Sequence, residues 1–328
     1  MRVFCFKKIL AFSLLLAILL LALPACSLKK SDFVFKELPD GTYSVAAKHP
    51  LSENLVIPST HNGKSVTAIA ERGFAESSQS RCKLVSVQIP SSITVIGDTA
   101  FLGCENLTTV IIEKGATVIG NNAFEGCRSL TSVTLPDSIE TIGEFAFRGC
   151  ESLASIEIPD SVTTLCDCAF QDCTALSSVK LPNGITSIAP RTFVGCSSLA
   201  TVVIPDSVTS IGFHAFYQCT ALTSITIPKG VKKIEGYLFF GCTALTSIDI
   251  PDGVTAIGNS AFAECSSLKS IKIPASVTSI PWEAFMNCNA LEEIYFGGDE
   301  SMWVNAIEGD QSSRFYGITM HYNYTPEE

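Results

Sequence analysis

The stretch Leu130-Thr-Ser-Val133-Thr-Leu135-Pro136-Asp137-Ser138-Ile139-Glu-Thr-Ile142-Gly143-Glu-Phe-Ala146-Phe147-Arg-Gly-Cys150 decides how this chain folds. From Leu130 to Leu135 apolar and polar residues alternate, the period of a strand with one buried face, so Val133 and Leu135 are expected to point inward. Pro136 has no N–H to give a ladder and ends the strand, and Asp137-Ser138 turns the chain. Ile139 and Ile142 belong to a second short extended stretch, and Gly143 allows a tight corner. Phe147 to Cys150 is too short for more than a turn or a 3₁₀ piece. No single segment of this kind can bury its own apolar residues, so copies must stack.

Working outward, the same pattern returns along most of the chain. Phe stands at 101, 124, 147, 170, 193, 216, 239, 262 and 285, always 23 residues apart, with an earlier copy at Phe74 after a four-residue insertion. Cys104, Cys127, Cys150, Cys173, Cys196, Cys219, Cys242, Cys265 and Cys288 follow each Phe from 101 onward by three residues. A leucine column runs from Leu107 to Leu291 and a proline column from Pro90 to Pro274, with Glu113 as its exception. Strict registers of this length predict an all-β-rich solenoid of about ten repeats, its strands parallel and about 4.8 Å apart.

The unit LxxVxIPxxVTxIGxxAFxxC, matched from about Pro58 to Phe296, resembles the BspA-like leucine-rich repeat family. That resemblance implies a capped repeat scaffold at a bacterial surface and a role in adhesion. The expected organisation is an N-terminal hairpin cap over 32–57, turning at Asp40-Gly41, a repeat array over 58–296, and a C-terminal cap over 297–328 with Trp303 as its plug.

Residues 1–25 have the layout of a secretory signal: Arg2, Lys7 and Lys8 precede an apolar run from Ile9 to Leu23. Those fifteen residues would span about 22 Å as a helix, short of the ~30 Å hydrocarbon core. Leu23-Pro24-Ala25-Cys26 resembles the lipobox of bacterial lipoproteins, which makes Cys26 the expected lipid anchor and 26–31 a tether. The chain is therefore expected outside the cytoplasm, held to the cell envelope through lipid alone.

Composition removes several function classes. Charged residues make up 16% and hydrophobic residues 47%, so the chain folds rather than staying disordered. Net charge is −10, and nucleic acid is an unexpected partner for want of a basic face. Four histidines, His49, His61, His214 and His321, stand isolated, and no phosphate-binding glycine loop, HExxH or Gly-x-Ser-x-Gly occurs. No catalytic residue, cofactor or metal site is expected. The fourteen cysteines would ordinarily suggest disulfides, but equivalent thiols in stacked turns lie parallel and too far apart to bridge. The column is expected to hold small buried hydrophobes. Cys166-Asp167-Cys168, near Cys173, leaves a soft-metal site, a local disulfide or free thiols as alternatives.

Two surfaces are candidates for partner binding. One strand-face column carries hydroxyls, Ser132, Ser155, Ser178, Thr201, Ser224, Ser247 and Ser270. Flanking the Phe column in the later copies are Phe213, His214, Tyr217, Tyr237, Phe240 and Trp282, where earlier copies have mostly charged or polar residues. Large side chains of this kind carry most binding energy in known interfaces. The expected partner is an extracellular protein or glycan, and an envelope component that associates with copies of itself is the alternative.

Overall fold

A computed structural model describes residues 32–48, 53–75, 82–308, 315 and 317–325. The expected signal sequence, Cys26 and the tether lie outside them. The described chain winds into a parallel-strand β-solenoid of about eleven turns with almost no helix.

Two strand ribbons run along it. The first pairs the leading strand of each turn in parallel: Ser86–Ile89 with Thr109–Ile112, Ser155–Glu157 with Ser178–Lys180, and Ser270–Ile273 with Glu293–Phe296. Register is set by the 23-residue period, so Ser178 faces Ser155 and Thr201 faces Ser178. The second ribbon pairs the short strand of each turn, such as Val118–Ile119 with Thr141–Ile142. A third contact between turns uses neither. The N–H groups of Thr99, Phe101 and Gly103 donate to the carbonyls of Asn121, Ala123 and Glu125 in the next turn, and the same triple recurs at 122, 124 and 126.

Between these edges lies the core. Phe74 to Phe262 are completely buried and their rings stack 5.2–5.9 Å apart within 16° of parallel, Phe285 closing the row. This exceeds the roughly 4.8 Å between strands, which fans the stack open on the phenylalanine side. Polar side chains repeat as faithfully as apolar ones. Thr131 Oγ1 donates to the carbonyl of Thr108, Thr209 Oγ1 to that of Thr186, and Thr243 Oγ1 to that of Thr220, each one turn back.

From Cys127 on, the cysteine column is unbridged and, except for the half-buried Cys288, buried as expected, and its thiols also serve as donors. From Cys127 to Cys288, each Sγ lies 3.1–3.3 Å from the carbonyl oxygen of the Phe 26 residues earlier and donates to it. The thiol thus meets a second acceptor position on a carbonyl sealed in the core, where an unmet polar group is costly. Burial drives these thiols upward, to about 12 for Cys173, Cys242 and Cys288.

Cys104 is a correction, being bridged to Cys82 with Cα atoms 5.1 Å apart. Cys82 does not occupy the repeat's usual position: it stands two residues before Leu84, where Cys104 stands three before Leu107. Cys166, Cys168 and Cys173 are unbridged.

Val133 and Leu135 are only half-buried against the core, whereas Ile156 and Ile158 one turn on are buried. The first ribbon is interrupted there, between Thr134 and Ser155. Glu113, in the proline column, earns its place by accepting from Gln88 Nε2 at 2.7 Å and from the Ser91 N–H at 3.0 Å.

At the N-terminal end, β1 (Phe33–Glu37) and β2 (Tyr43–Ala47) pair antiparallel, and Asp40 accepts from the Thr42 N–H in the turn. At the other end helix α1 (Glu300–Ala306) is capped by Asp299, and Trp303 packs against Phe296 and Phe315. It is 5% exposed.

Candidate functional site

One backbone position per turn builds the site. Thr99, Asn122, Phe145, Cys168, Arg191, His214, Tyr237 and Ser260 all have φ between 52° and 60°. A non-glycine residue in this left-handed region costs roughly 1–2 kcal/mol. The conformation is imposed by stacking, since it directs the N–H at the next turn: Arg191 donates to Phe213, His214 to Gly236, and Tyr237 to Asn259. Glycine would adopt it without cost, yet none of these eight positions holds one.

In the turns from 191 to 240 this position and its neighbours carry rings that meet. His214 and Tyr237 stack at 4.8 Å and 9°, and Tyr217 and Phe240 at 4.8 Å and 6°. Phe213 meets the edge of His214 at 5.2 Å, while Tyr237 lies 5.9 Å from Phe240. Five of the six aromatic residues expected to form a patch are therefore contiguous. Arg191, at the same backbone position one turn before His214, joins them: its guanidinium lies 4.7 Å over the Phe213 ring. Phe213 and Tyr237 are 39% and 38% exposed, and exposed apolar side chains gathered in one patch mark interaction surfaces.

Trp282, the sixth, is exposed and lines a different pocket of about 250 Å³ with Phe285, Met286, Leu291, Phe315 and Ile318. Beside the patch itself opens a larger pocket, about 510 Å³, whose walls include Phe213, His214, Tyr237, Lys233, Asn259 and Glu308. Burial, and then the charge of Arg191, hold the His214 imidazole below its usual range, so it is neutral at pH 7. Its Nδ1 is enclosed without a hydrogen-bond partner among the described residues.

The hydroxyl stripe lies on the exposed side of the first ribbon. Ser155, Ser178, Thr201, Ser224 and Ser247 are exposed, while Ser132 and Ser270 are half-buried. Residues 224–226 are not a strand, so the stripe is interrupted at Ser224. Glu157–Lys180 and Asp249–Lys272 form ion pairs across it at 3.3 and 2.9 Å. Solvent-exposed pairs of this kind contribute about 0–1 kcal/mol and chiefly favour register. No group of three or more metal-ligating side chains occurs among the described residues.

A parallel solenoid with convergent side chains on its turns is a repeat scaffold for binding. The chain belongs to the BspA type leucine rich repeat family, whose description matches six copies over residues 67–200 and 186–307. A leucine-rich repeat protein from Bacteroides ovatus is similar in structure, with a TM-score of 0.74 and 25% identity over 90% of this chain and 76% of that one. The pneumococcal vaccine antigen PcpA shares the fold at a TM-score of 0.51 and 19% identity, covering 90% of this chain and 93% of its own. A protein of Faecalibacterium prausnitzii described as a leucine rich cell surface protein is 29% identical over 86% of this chain and 98% of that one, with a TM-score of 0.43. No curated protein is significantly similar. No helix among the described residues is long and apolar enough to cross a membrane.

Proposed function

We propose that this chain is an adhesive scaffold, anchored to a bacterial envelope through lipid on Cys26 and presenting its aromatic patch to an extracellular protein or glycan. The observation that carries this is the ring cluster at Phe213, His214, Tyr217, Tyr237 and Phe240. It sits on a backbone position whose strain is borne in the turns from Thr99 to Ser260, but only here does that position carry stacked rings with exposed faces. The lipobox-like Leu23-Pro24-Ala25-Cys26 supports the anchor, and its separation from Phe33 by a few residues holds the array close to the membrane. No catalytic role enters this reading, since the scaffold's chemistry is recognition.

The test is attachment of the full chain, in detergent, to immobilised collagen, laminin and fibronectin and to a glycan array. Replacing Tyr217 and Tyr237 together by Ser is expected to abolish capture while the melting temperature changes little. Undiminished capture by a stably folded double variant refutes the patch as the binding surface. Incorporation of radiolabelled palmitate that persists in Cys26→Ala refutes the anchor.

A further inference from the structure

Residues equivalent to Phe213 in the other turns, Asp98, Asn121, Glu144, Asp167, Pro190, Asn259 and Trp282, all bear side chains, whereas Gly236 in the very next turn has none. The row of side chains is thus notched at Gly236. Phe213 borders the notch on one side and Asn259 on the other, two turns or about 10 Å apart, and both line the 510 Å³ pocket. Tyr237, whose first face is stacked on His214, lines the same pocket. Ser260, next after Tyr237 in the left-handed column, is small and buried, so the ring stack stops there.

From this we infer that the notch at Gly236 is a saccharide subsite, taking one pyranose ring of a glycan; this rests on the proposed binding role of the patch and specifies its ligand. A flat ring needs about 7–8 Å between the atoms it touches on its two sides, and a puckered sugar chair fills the remainder. Pockets of 300–1,000 Å³ are the usual size for small ligands. The walls are of mixed chemistry. Phe213 and Tyr237 offer apolar faces for the C–H side of a sugar, as exposed aromatic rings do for weakly polar partners. Lys233, Asn259, Ser279 and Glu308 supply donors and acceptors of both kinds for hydroxyls. Three of these are already held: Lys233 Nζ lies 2.8 Å from Glu235, and Ser279 Oγ donates to Glu308 at 2.8 Å. An aromatic side chain of a protein partner would take that polar wall out of water without offering its groups further hydrogen bonds, at a cost to affinity.

The glycine makes the subsite testable. Gly236 lies outside the left-handed region, and a Cβ there would stand 3.3 Å from the Asn259 carbonyl oxygen, a contact relieved by a few tenths of an ångström. Gly236→Leu therefore fills the notch without demanding a new backbone. Saturation-transfer NMR on the full chain in detergent would use methyl glycosides of glucose, galactose, mannose, fucose, N-acetylglucosamine and N-acetylgalactosamine. At least one is expected to take saturation on its C–H face, and Gly236→Leu and Tyr237→Ala each to reduce that signal at least about five-fold. Silence from every glycoside overturns the subsite, as does a signal that survives Gly236→Leu in protein melting like the parent. Should Gly236→Leu fail to fold, Tyr237→Ala and Asn259→Ala decide by the same criterion. Glycoside silence with capture on collagen, laminin or fibronectin intact sinks the saccharide subsite and leaves the scaffold reading standing; loss of both sinks both.

Discussion

The turns from Ile69 to Leu165 and those from Ser187 to Ile257 are built on one repeat, yet the second ribbon is unbroken in the former and split in the latter. In the first region Gly97, Gly120 and Gly143 follow the short strand, and their N–H groups donate to Ile69, Ile96 and Ile119 one turn back. A Cβ on any of the three would stand 2.5–2.7 Å from the preceding turn. In the second region the equivalent residues include Ala189 and Glu235, and the strands divide into the pairs 187–188 with 210–211 and 233–234 with 256–257. A break in the ladder precedes each of these two turns, although Cys166 stands at the same position with its ladder to Thr141–Ile142 intact. The aromatic patch and its pocket occupy this loosened region. Regularity supplies the frame, and departures from it supply the surface that can recognise something.

If the aromatic spine is what the two regions share, its loss should outweigh everything else. Phe147→Ala is expected to cost about 3–5 kcal/mol in urea unfolding, and Phe216→Ala a similar amount. A Phe216 variant losing under half as much would mean that the loosened region collapses around the void. Next in size, reducing the Cys82–Cys104 bridge, which joins residues 22 apart, should remove about 3 kcal/mol. Melting that is indifferent to dithiothreitol would show that the first region does not depend on it.

The weight of the glycine position is put to a direct contrast by exchanging residues between the regions. Gly120→Ala should destabilise by about 1–3 kcal/mol through overpacking, since its Cβ would meet Asp98 at 2.5 Å. Ala189→Gly, in the split ribbon, should change stability by at most about 1 kcal/mol. Equal effects would break the distinction. Smallest is the pH response of the patch. The His214 pKa is lowered in the folded chain, mainly by burial, from its ordinary 6.5. The unfolded chain then binds the proton more readily, so this residue's contribution is intact above pH 6.5 and declines as pH falls toward the lower folded value. A melting-temperature profile between pH 7 and 5 should be flatter in His214→Asn, and identical profiles would exclude that coupling.

The repeat, the inward aliphatic columns and the stacked phenylalanines were legible in the sequence, because a strict period makes each residue's environment a copy of its own. The aromatic cluster was legible as a departure from those columns. The thiol's bond to a buried carbonyl was not, since period alone cannot tell a donor from a spacer. Nor was the Cys82–Cys104 bridge, for Cys82 stands off the column and only folding shows where the inserted segment returns. Arg191 over Phe213 was missed for a related reason: the residues are one period apart less one, and nothing linear says that a guanidinium leans across a turn.

By itself, then, the sequence determined that this chain is a stack of turns, how many residues each holds and which side chains line its interior, because short-range alternation and a constant period are properties of the chain. Only the tertiary structure decided where the ladders break, which rings share a surface and that Gly236 opens a pocket. Those depend on differences of a few tenths of an ångström in the spacing of neighbouring turns, fixed by the contacts of every side chain around them and carried by no single position.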